Sequence, residues 1–303
     1  MSGPVVVLAG GTGGAKLARG MLDVAGDELV VIANTGDDTE AHGGHVSPDP
    51  DLITFWLADR IDARGWGLRD DTFTVMDALT ALGEDVWFRL GDQDLAVCLA
   101  RARRLAGGAT LTQATDDLRR TFDVRAVVLP MSDEPVRTWV RARGAWNDFQ
   151  AFMIREQGMG PVEDVAFRGV EAAEPTAEVL RALRDARVVI VGPSNPVISI
   201  GPILAVPGMR DALSACRRPV VAVSPLVGGE VLKGPTDVFM AWAGHPLTSD
   251  GIAAFYDGLL DGLVADERTD DLPTLQTDVA MPDAAGRRRV AQEALDFALA
   301  LAP

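Results

Sequence analysis

The sequence predicts an α/β fold: a Rossmann-like, doubly wound, mainly parallel sheet with an inserted helical layer. Two observations carry that expectation. The chain opens on a β-branched run, Val5-Val6-Val7-Leu8-Ala9, that ends in Gly10-Gly11-Thr12-Gly13-Gly14. An apolar-periodic segment with Leu17, Ala18, Met21 and Leu22 follows, so the order is strand, tight turn, helix. Further apolar runs without polar alternation then recur between helical patterns, as in a parallel sheet covered on both faces.

The elements follow in order. Leu29 to Ala33 reads as the second strand, and residues 124–129, 188–191 and 220–223 as later ones. Helical spacing runs over 71–82, 94–105, 111–122, 176–186 and 209–215. An amphipathic helix closes the chain at about 285–301, with Arg287, Arg288 and Arg289 in its first turns. Between Asp49 and Leu118 there are several helical patterns and no convincing strand. That region, about 49–120, reads as a helical insertion beside the carboxyl edge of the sheet. The whole chain, 1–303, reads as a single nucleotide-binding-like α/β domain.

Composition narrows the function classes. A net charge of −16 opposes non-specific nucleic-acid binding. No apolar run approaches the roughly 20 residues of a membrane span and no signal peptide opens the chain, so a cytoplasmic protein is expected. Cys98 and Cys216 lie in apolar helical surroundings and read as free, buried thiols. Lysine occurs only at Lys16 and Lys233.

Ligands of such sheets lie beyond the carboxyl ends of the strands, where four loops converge. The first is the glycine turn. Its bare backbone and the helix N-terminus behind it suit a phosphate, which makes Gly11, Thr12, Gly13, Gly14 and Lys16 substrate-binding candidates. It is not a P-loop, because Ala15 precedes Lys16 and Leu17 replaces the hydroxyl residue. It is also a poor dinucleotide motif, because Lys16 occupies the third glycine position. The second loop, Asn34-Thr35-Gly36-Asp37-Asp38-Thr39-Glu40, offers Asn34 and Asp37 to the substrate. The third, Val46-Ser47-Pro48-Asp49-Pro50-Asp51, adds two more carboxylates. The fourth runs from Gly192 to Pro202 and presents Ser194, Asn195 and Ser199 from a proline-rigid turn.

Clustered carboxylates near a phosphate turn suit Mg²⁺, which takes oxygen ligands from one or two acids plus substrate phosphates. Asp38, Asp49 and Asp51 are the metal-ligand candidates, and Asp38 and Asp51 the catalytic ones; both are expected at a solvent-open site. Helix capping and Asx turns are the competing use of these aspartates. Trp66, in Arg64-Gly65-Trp66-Gly67, suits either stacking on a flat ring or core packing. His42, His45 and His245 show no metal-ligand spacing and read as surface or loop residues.

At this point the residues carry a resemblance. LAGGTGGAKLARG (8–20), NTGDDTE (34–40), HVSPDPD (45–51), RGWGLRDDTF (64–73), WFRLGDQDLA (87–96), LPMSD (129–133), FQ (149–150), GPSNPVISIGPILAVPGMRDAL (192–213) and VSPLVGGEVLKGP (223–235) stand in this order. The chain resembles the 2-phospho-L-lactate transferase family of coenzyme F420 biosynthesis, including its bacterial phosphoenolpyruvyl-transferring members. Two departures are Gln93, where the family usually has a basic residue, and Pro50, where leucine is common.

The resemblance implies a Mg²⁺-dependent transfer from a GDP-linked donor to the deazaflavin Fo. The terminal ribityl hydroxyl attacks the phosphorus beside the organic acid, GMP leaves, and a phosphodiester remains. It also implies a substrate-binding role for Asp92, an apolar place for the deazaflavin in the helical insertion, and a homodimer. A non-catalytic nucleotide- or nucleotide-sugar-binding regulator, like the related gluconeogenesis-factor group with its similar GGTGG and NTGDD, is the main alternative. A nicotinamide-dependent oxidoreductase is opposed by Asn34 at the end of the second strand, where an acid would hold a ribose. Lactyl, enolpyruvyl and glyceryl donors are not distinguished.

Overall fold

The computed structural model describes residues 3–302 apart from 159, 217 and 233. Strand β1 (Val5–Ala9) leads through Gly10 into helix α1 (Gly11–Ala25), and β2 (Leu29–Ala33) follows. Helix α1 stops at Gly26, whose φ of 58° only glycine adopts freely, and whose N–H returns to the Leu22 carbonyl. A small hairpin, β3 (Thr39–Ala41) and β4 (Gly44–Val46), precedes four helices. These are α2 (Pro48–Leu57), α3 (Thr74–Ala81), α4 (Asp92–Ala106) and α5 (Leu111–Thr121). Strand β5 (Val127–Pro130) returns to the main sheet. An antiparallel excursion follows: β6 (Arg137–Ala142), β7 (Ala145–Asp148), α6 (Phe149–Ile154) and β8 (Val162–Arg168). Then come α7 (Ala177–Asp185), β9 (Val188–Val191), α8 (Gly201–Ala205), α9 (Met209–Ala215) and β10 (Val220–Val223). The chain ends through β11 (Leu226–Val227), β12 (Glu230–Val231), α10 (Thr236–Trp242), α11 (Ser249–Phe255), β13 (Gly262–Ala265), β14 (Thr274–Gln276) and α12 (Ala284–Ala300).

The main sheet has the order β14-β13-β10-β9-β1-β2-β5, with every pairing parallel. The chain walks outward from β1 to β2 and β5. It then crosses back to β9 on the other side of β1 and walks outward again. The direction reverses between β1 and β9, and a ligand crevice opens beyond the carboxyl ends of strands at such a point. Alternate residues of one strand feed opposite cores, as a two-residue period requires. Val6 and Leu8 join a core with Leu183, Phe239 and Ile252, under α7, α10 and α11. Val5, Val7 and Ala9 join another with Leu17, Ile53 and Val290, under α1, α2 and α12. A smaller core of Ala41, Val46, Met76, Leu95 and Cys98 ties the β3–β4 hairpin to α3 and α4.

The predicted strands at 5–9, 29–33, 188–191 and 220–223 are present with those bounds. The run predicted over 124–129 becomes strand only at Val127. Its first residues close α5 instead: Asp123 takes a left-handed φ of 55° and the Val124 N–H donates to the Arg119 carbonyl. The sheet β7-β6-β8, the β3–β4 hairpin, strand β13 and the edge strand β14 were not expected. For β6 the signal was a two-residue alternation, since Thr138, Val140 and Ala142 are buried between more exposed neighbours. Of the two cysteines, Cys98 is buried as expected, whereas Cys216 is only half-buried at the end of α9; both are free thiols. Among the described residues no helix is long and apolar enough to cross a membrane.

Candidate functional site

The glycine turn is built by packing on one side and left bare on the other. A Cβ at Gly13 would overlap the Pro193 carbonyl oxygen, and one at Gly14 would meet Ser194 Oγ at 2.6 Å. One at Gly10 would meet Asp49 Oδ2 at 2.7 Å. Gly11 differs: its φ is 63°, and the nearest atom to an added Cβ is Ser199 Oγ at 3.8 Å. Gly11 is thus dictated by conformation, with its open side toward the crevice. Its N–H donates to Asp49 Oδ1 at 2.7 Å, and the Gly10 N–H donates to Ser194 Oγ at 3.2 Å. The N–H groups of Thr12 and Gly13 lie in the first turn of α1, where no intrahelical acceptor exists. Lys16, one turn on, donates to the Met281 carbonyl at 3.3 Å.

Beside this turn the ends of β2 and the start of α2 bring acids together. Asn34 Nδ2 donates to Asp37 Oδ1 at 3.1 Å and Asp49 Oδ2 at 2.9 Å, while its Oδ1 accepts the Gly36 N–H at 2.8 Å. Asp38 accepts from Ser47 Oγ at 2.8 Å and lies 3.0 Å from Nε2 of His45. The acids are not solvent-open. Asp38, Asp49 and Asp51 are 1%, 3% and 7% exposed, so the expectation of an open site is corrected for Asp38 and Asp51. The loops around them fold back as the β3–β4 hairpin and the first turn of α2, which sequence spacing does not reveal. Burial pushes the Asp49 carboxyl up to about 6, against the Gly11 and Asn34 hydrogen bonds that favour its ionised form. Burial, then the charge of Asp49, pushes Asp37 up as well.

Two participants were not expected. Arg101, 3% exposed on α4, donates from one guanidinium nitrogen to the Asp51 carboxylate and from the other to the His45 carbonyl at 2.9 Å. It ties α4, α2 and the hairpin together. Burial pushes the Asp51 carboxyl up while the Arg101 charge pulls against it. His45, read as a surface or loop residue, is a largely buried strand residue against Asp38, and this is a second correction.

A cavity of about 720 Å³ adjoins the acids. Asp49 and Asp51 belong to its wall, and Phe55, Trp66, Trp87 and Phe88 supply aromatic surface. Trp66 is 44% exposed, with the Arg64 guanidinium 4.3 Å from its ring centroid, so it is not a core residue. Gln150 of α6 also lines the cavity, and its side chain donates to the Asp37 carbonyl at 3.4 Å. Large, mostly apolar and marked by a few polar groups, the cavity has the character of a small-molecule site.

A family model described as 2-phospho-L-lactate transferase CofD matches residues 5–295. The chain belongs to that family. A 2-phospho-L-lactate transferase of Methanosarcina mazei is 38% identical over 266 residues, covering 87% of each chain. A phosphoenolpyruvate transferase of Kitasatospora aureofaciens is 39% identical, covering 86% of this chain and 84% of that one. One of Thermobifida fusca is 37% identical, covering 98% of both. Among solved structures, a UPF0052-family protein of Bacillus halodurans aligns over 97% of this chain and 99% of its own, with a TM-score of 0.63 and 17% identity. That likeness concerns the fold alone.

In this CofD-family chain the two long motifs of the helical insertion serve partly as reciprocal caps. Asp92 accepts from the Thr74 and Val75 N–H groups at the start of α3, and from Thr72 Oγ1. Asp71 accepts from the Gln93 and Asp94 N–H groups at the start of α4. Asp92 is thereby placed on a helix end, while Asp94, two residues on, lines the cavity. Gln93 faces a separate cleft between α4 and α5. Ser199 is buried beside Gly10 and Gly11. Asn195 uses its Oδ1 to accept the Val197 and Ile198 N–H groups at 3.0 and 3.3 Å, shaping a wide π-type turn over 196–200. Its Nδ2 donates to Thr236 Oγ1 at 3.3 Å.

The oxygen-only set of Asp37, Asp38 and Asp49, buried and mutually repelling, suits a hard divalent cation. Among the described residues no three His, Cys, Asp or Glu side chains already enclose an ion site. The fit is therefore to a cation sharing one or two carboxylates with substrate phosphate and water.

Two outcomes are expected of the turn and the cavity. The Gly13 hydrogen faces the Pro193 carbonyl, so close backbone packing demands glycine here, beside any phosphate the turn would take. Gly13→Val must move the 193–195 turn, and such overpacking costs about 1–3 kcal/mol. Its melting temperature and its activity fall together; full thermal stability with lost donor binding would contradict this packing role.

Asp94 is pushed up to about 7 from its ordinary 3.8, first by burial and then by the charges of Asp51 and Asp71, with Arg64 and Arg101 opposing. A carboxyl whose folded value exceeds its unfolded one destabilises the fold when ionised. That cost is absent below about 4, grows through the window up to about 7, and is complete above it. Asp94→Asn is therefore more stable than the parent at pH 8, by about 1–3 kcal/mol once water reaching the half-buried carboxyl is allowed for. The difference vanishes near pH 4. Denaturant melts of both proteins across pH 4–8 check it, and a gap independent of pH would contradict it.

Proposed function

We propose that the protein transfers a phospholactyl or phosphoenolpyruvyl group from a GDP-linked donor to the terminal ribityl hydroxyl of Fo, in coenzyme F420 biosynthesis. The observation that carries this reading is Asp49. The same carboxylate accepts the Gly11 N–H of the glycine turn and lines the aromatic cavity, so one residue joins a phosphate end to an acceptor end. The family and its transferase relatives support the chemistry. A GDP-binding regulator needs no aromatic cavity against its phosphate turn, and an oxidoreductase would place an acid where Asn34 stands.

In this reading the diphosphate lies over Gly11, with the first-turn N–H groups of α1 directed at it. Asp49 and Asp38 would hold Mg²⁺, with Asp51, tied to Arg101, beside them. When bound, that cation neutralises developing charge on the phosphoryl oxygens. The deazaflavin occupies the cavity, and its ribityl chain runs toward Asp49. The hydroxyl oxygen bonds to the phosphorus that carries the organic acid. The bond from that phosphorus to the bridging oxygen breaks, GMP leaves with that oxygen, and the hydroxyl proton passes to a site carboxylate, for which Asp38 is the candidate, with His45 and Ser47 orienting it. Positioning and charge neutralisation supply most of the catalysis in such transfers.

Separate calorimetric titrations with GDP and with Fo test this reading. Both ligands bind, and Mg²⁺ strengthens GDP binding but leaves Fo binding nearly unchanged. Binding of GDP without any binding of Fo favours the regulator instead.

A further inference from the structure

The cavity wall contains a polar group that the reaction as described does not use. Of the polar side chains lining the cavity, Asp49 is engaged by Gly11 and Asn34, and Asp51 by Arg101. Arg89 pairs with Asp77 at 2.8 Å, and Gln150 donates to the Asp37 carbonyl. The Asp94 carboxyl accepts no hydrogen bond from any described residue, although its own backbone N–H is held by Asp71. Gly67 packs closely beside it, so that an added Cβ there would lie 3.0 Å from Asp94 Oδ2. An unpaired carboxyl in a largely apolar cavity is costly unless a ligand completes it.

We propose that Asp94 recognises the imide edge of the flat acceptor, a ring N–H beside a ring carbonyl, by a two-point hydrogen bond. The carbonyl oxygen of the carboxyl accepts the ring N–H, and its O–H donates to the adjacent ring carbonyl. This rests on the reading of the cavity as the deazaflavin site, since the pyrimidinedione ring of such a molecule presents that edge. The neutral form makes both bonds, whereas the carboxylate makes one and faces the ring carbonyl with like partial charge. Burial and the neighbouring charges of Asp51 and Asp71, opposed by Arg64 and Arg101, keep the neutral form accessible near neutrality. Asp94 is thus a specificity group for the acceptor rather than part of the phosphoryl-transfer machinery.

An asparagine at this position offers the same donor and acceptor without titrating. Fo affinity is measured by calorimetry at pH 6 and pH 8 for the parent protein, Asp94→Asn and Asp94→Leu, each first checked by a melting curve. The parent is expected to lose about tenfold in affinity relative to Asp94→Asn between the two pH values, which removes any titration of Fo itself from the comparison. Asp94→Asn matches the parent at pH 6, and Asp94→Leu binds at least about tenfold more weakly. An Fo analogue methylated on the imide nitrogen is rejected by the parent but not further rejected by Asp94→Leu. Equal Fo affinity in the parent and Asp94→Leu overturns the proposal, as does a methyl penalty that survives in Asp94→Leu. Failure of Fo to bind the parent protein at either pH overturns instead the assignment of the cavity on which the proposal rests.

Discussion

Asp51→Asn lowers the unfolding free energy by about 3–5 kcal/mol, the cost of stranding a buried charge without its partner. Arg101 is 3% exposed, and the carboxylate of Asp51 is the negative group its guanidinium contacts directly. Its second contact is a neutral carbonyl, of His45. The amide leaves the cation buried between α2, α4 and the hairpin without its charged partner. Loss of activity in this variant therefore reports misfolding as much as chemistry. A double variant separates the two. Asp51→Leu with Arg101→Met replaces the pair by apolar volume and recovers most of the stability without recovering transfer. Chemical denaturation of the three proteins checks both statements; a single variant within 1 kcal/mol of the parent, roughly the range of ordinary surface substitutions, contradicts the first.

Asp49→Asn acts in the opposite sense, costing activity and little stability. Its carboxyl sits at about 6 because burial disfavours the charge. The neutral amide relieves that penalty above pH 6, while placing an N–H group against the donors of Gly11 or Asn34; the two effects largely cancel. Catalysis loses a charge that neutralises or orients the reacting phosphates. Loss of one such electrostatic contact costs about 3–4 kcal/mol, or roughly 10²–10³ in rate. Initial rates and a melting curve on the same preparation check the pairing. A variant that retains more than about a tenth of the parent rate contradicts a role for Asp49 at the reacting centre.

What the sequence made legible was local. Unalternated runs such as Val188-Val189-Ile190-Val191 announce buried parallel strands, and glycines between a strand and a helix announce the turn. The crevice loops followed, because strand ends in such sheets converge. What stayed hidden depends on distant pairing. Arg101 lies 50 residues from Asp51, and nothing in its own neighbourhood marks it as a buried partner. Asp38 and His45 face each other only because a tight hairpin between β3 and β4 folds the chain back. Asp92 and Asp94 share a motif and a residue type, yet one caps α3 and the other lines the cavity. Their separation is a matter of helix geometry, since residues two apart on a helix point to different sides. The edge strand β14 has only three residues, and β13, although as long as β9 and β10, begins on Gly262 and carries a single β-branched residue, Val264, so neither stands out against the surrounding turns.

The central claim is group transfer at a site where one carboxylate joins a phosphate turn to an aromatic cavity. Its most direct test is incubation of the purified protein with Fo, Mg²⁺ and each GDP-linked donor in turn, followed by mass spectrometry. The account predicts a phosphodiester of Fo with the donor's acid, formed with one GMP for each Fo consumed and abolished by Asp49→Asn. Unchanged Fo with every donor, under conditions where both Fo and the donor bind, would contradict it.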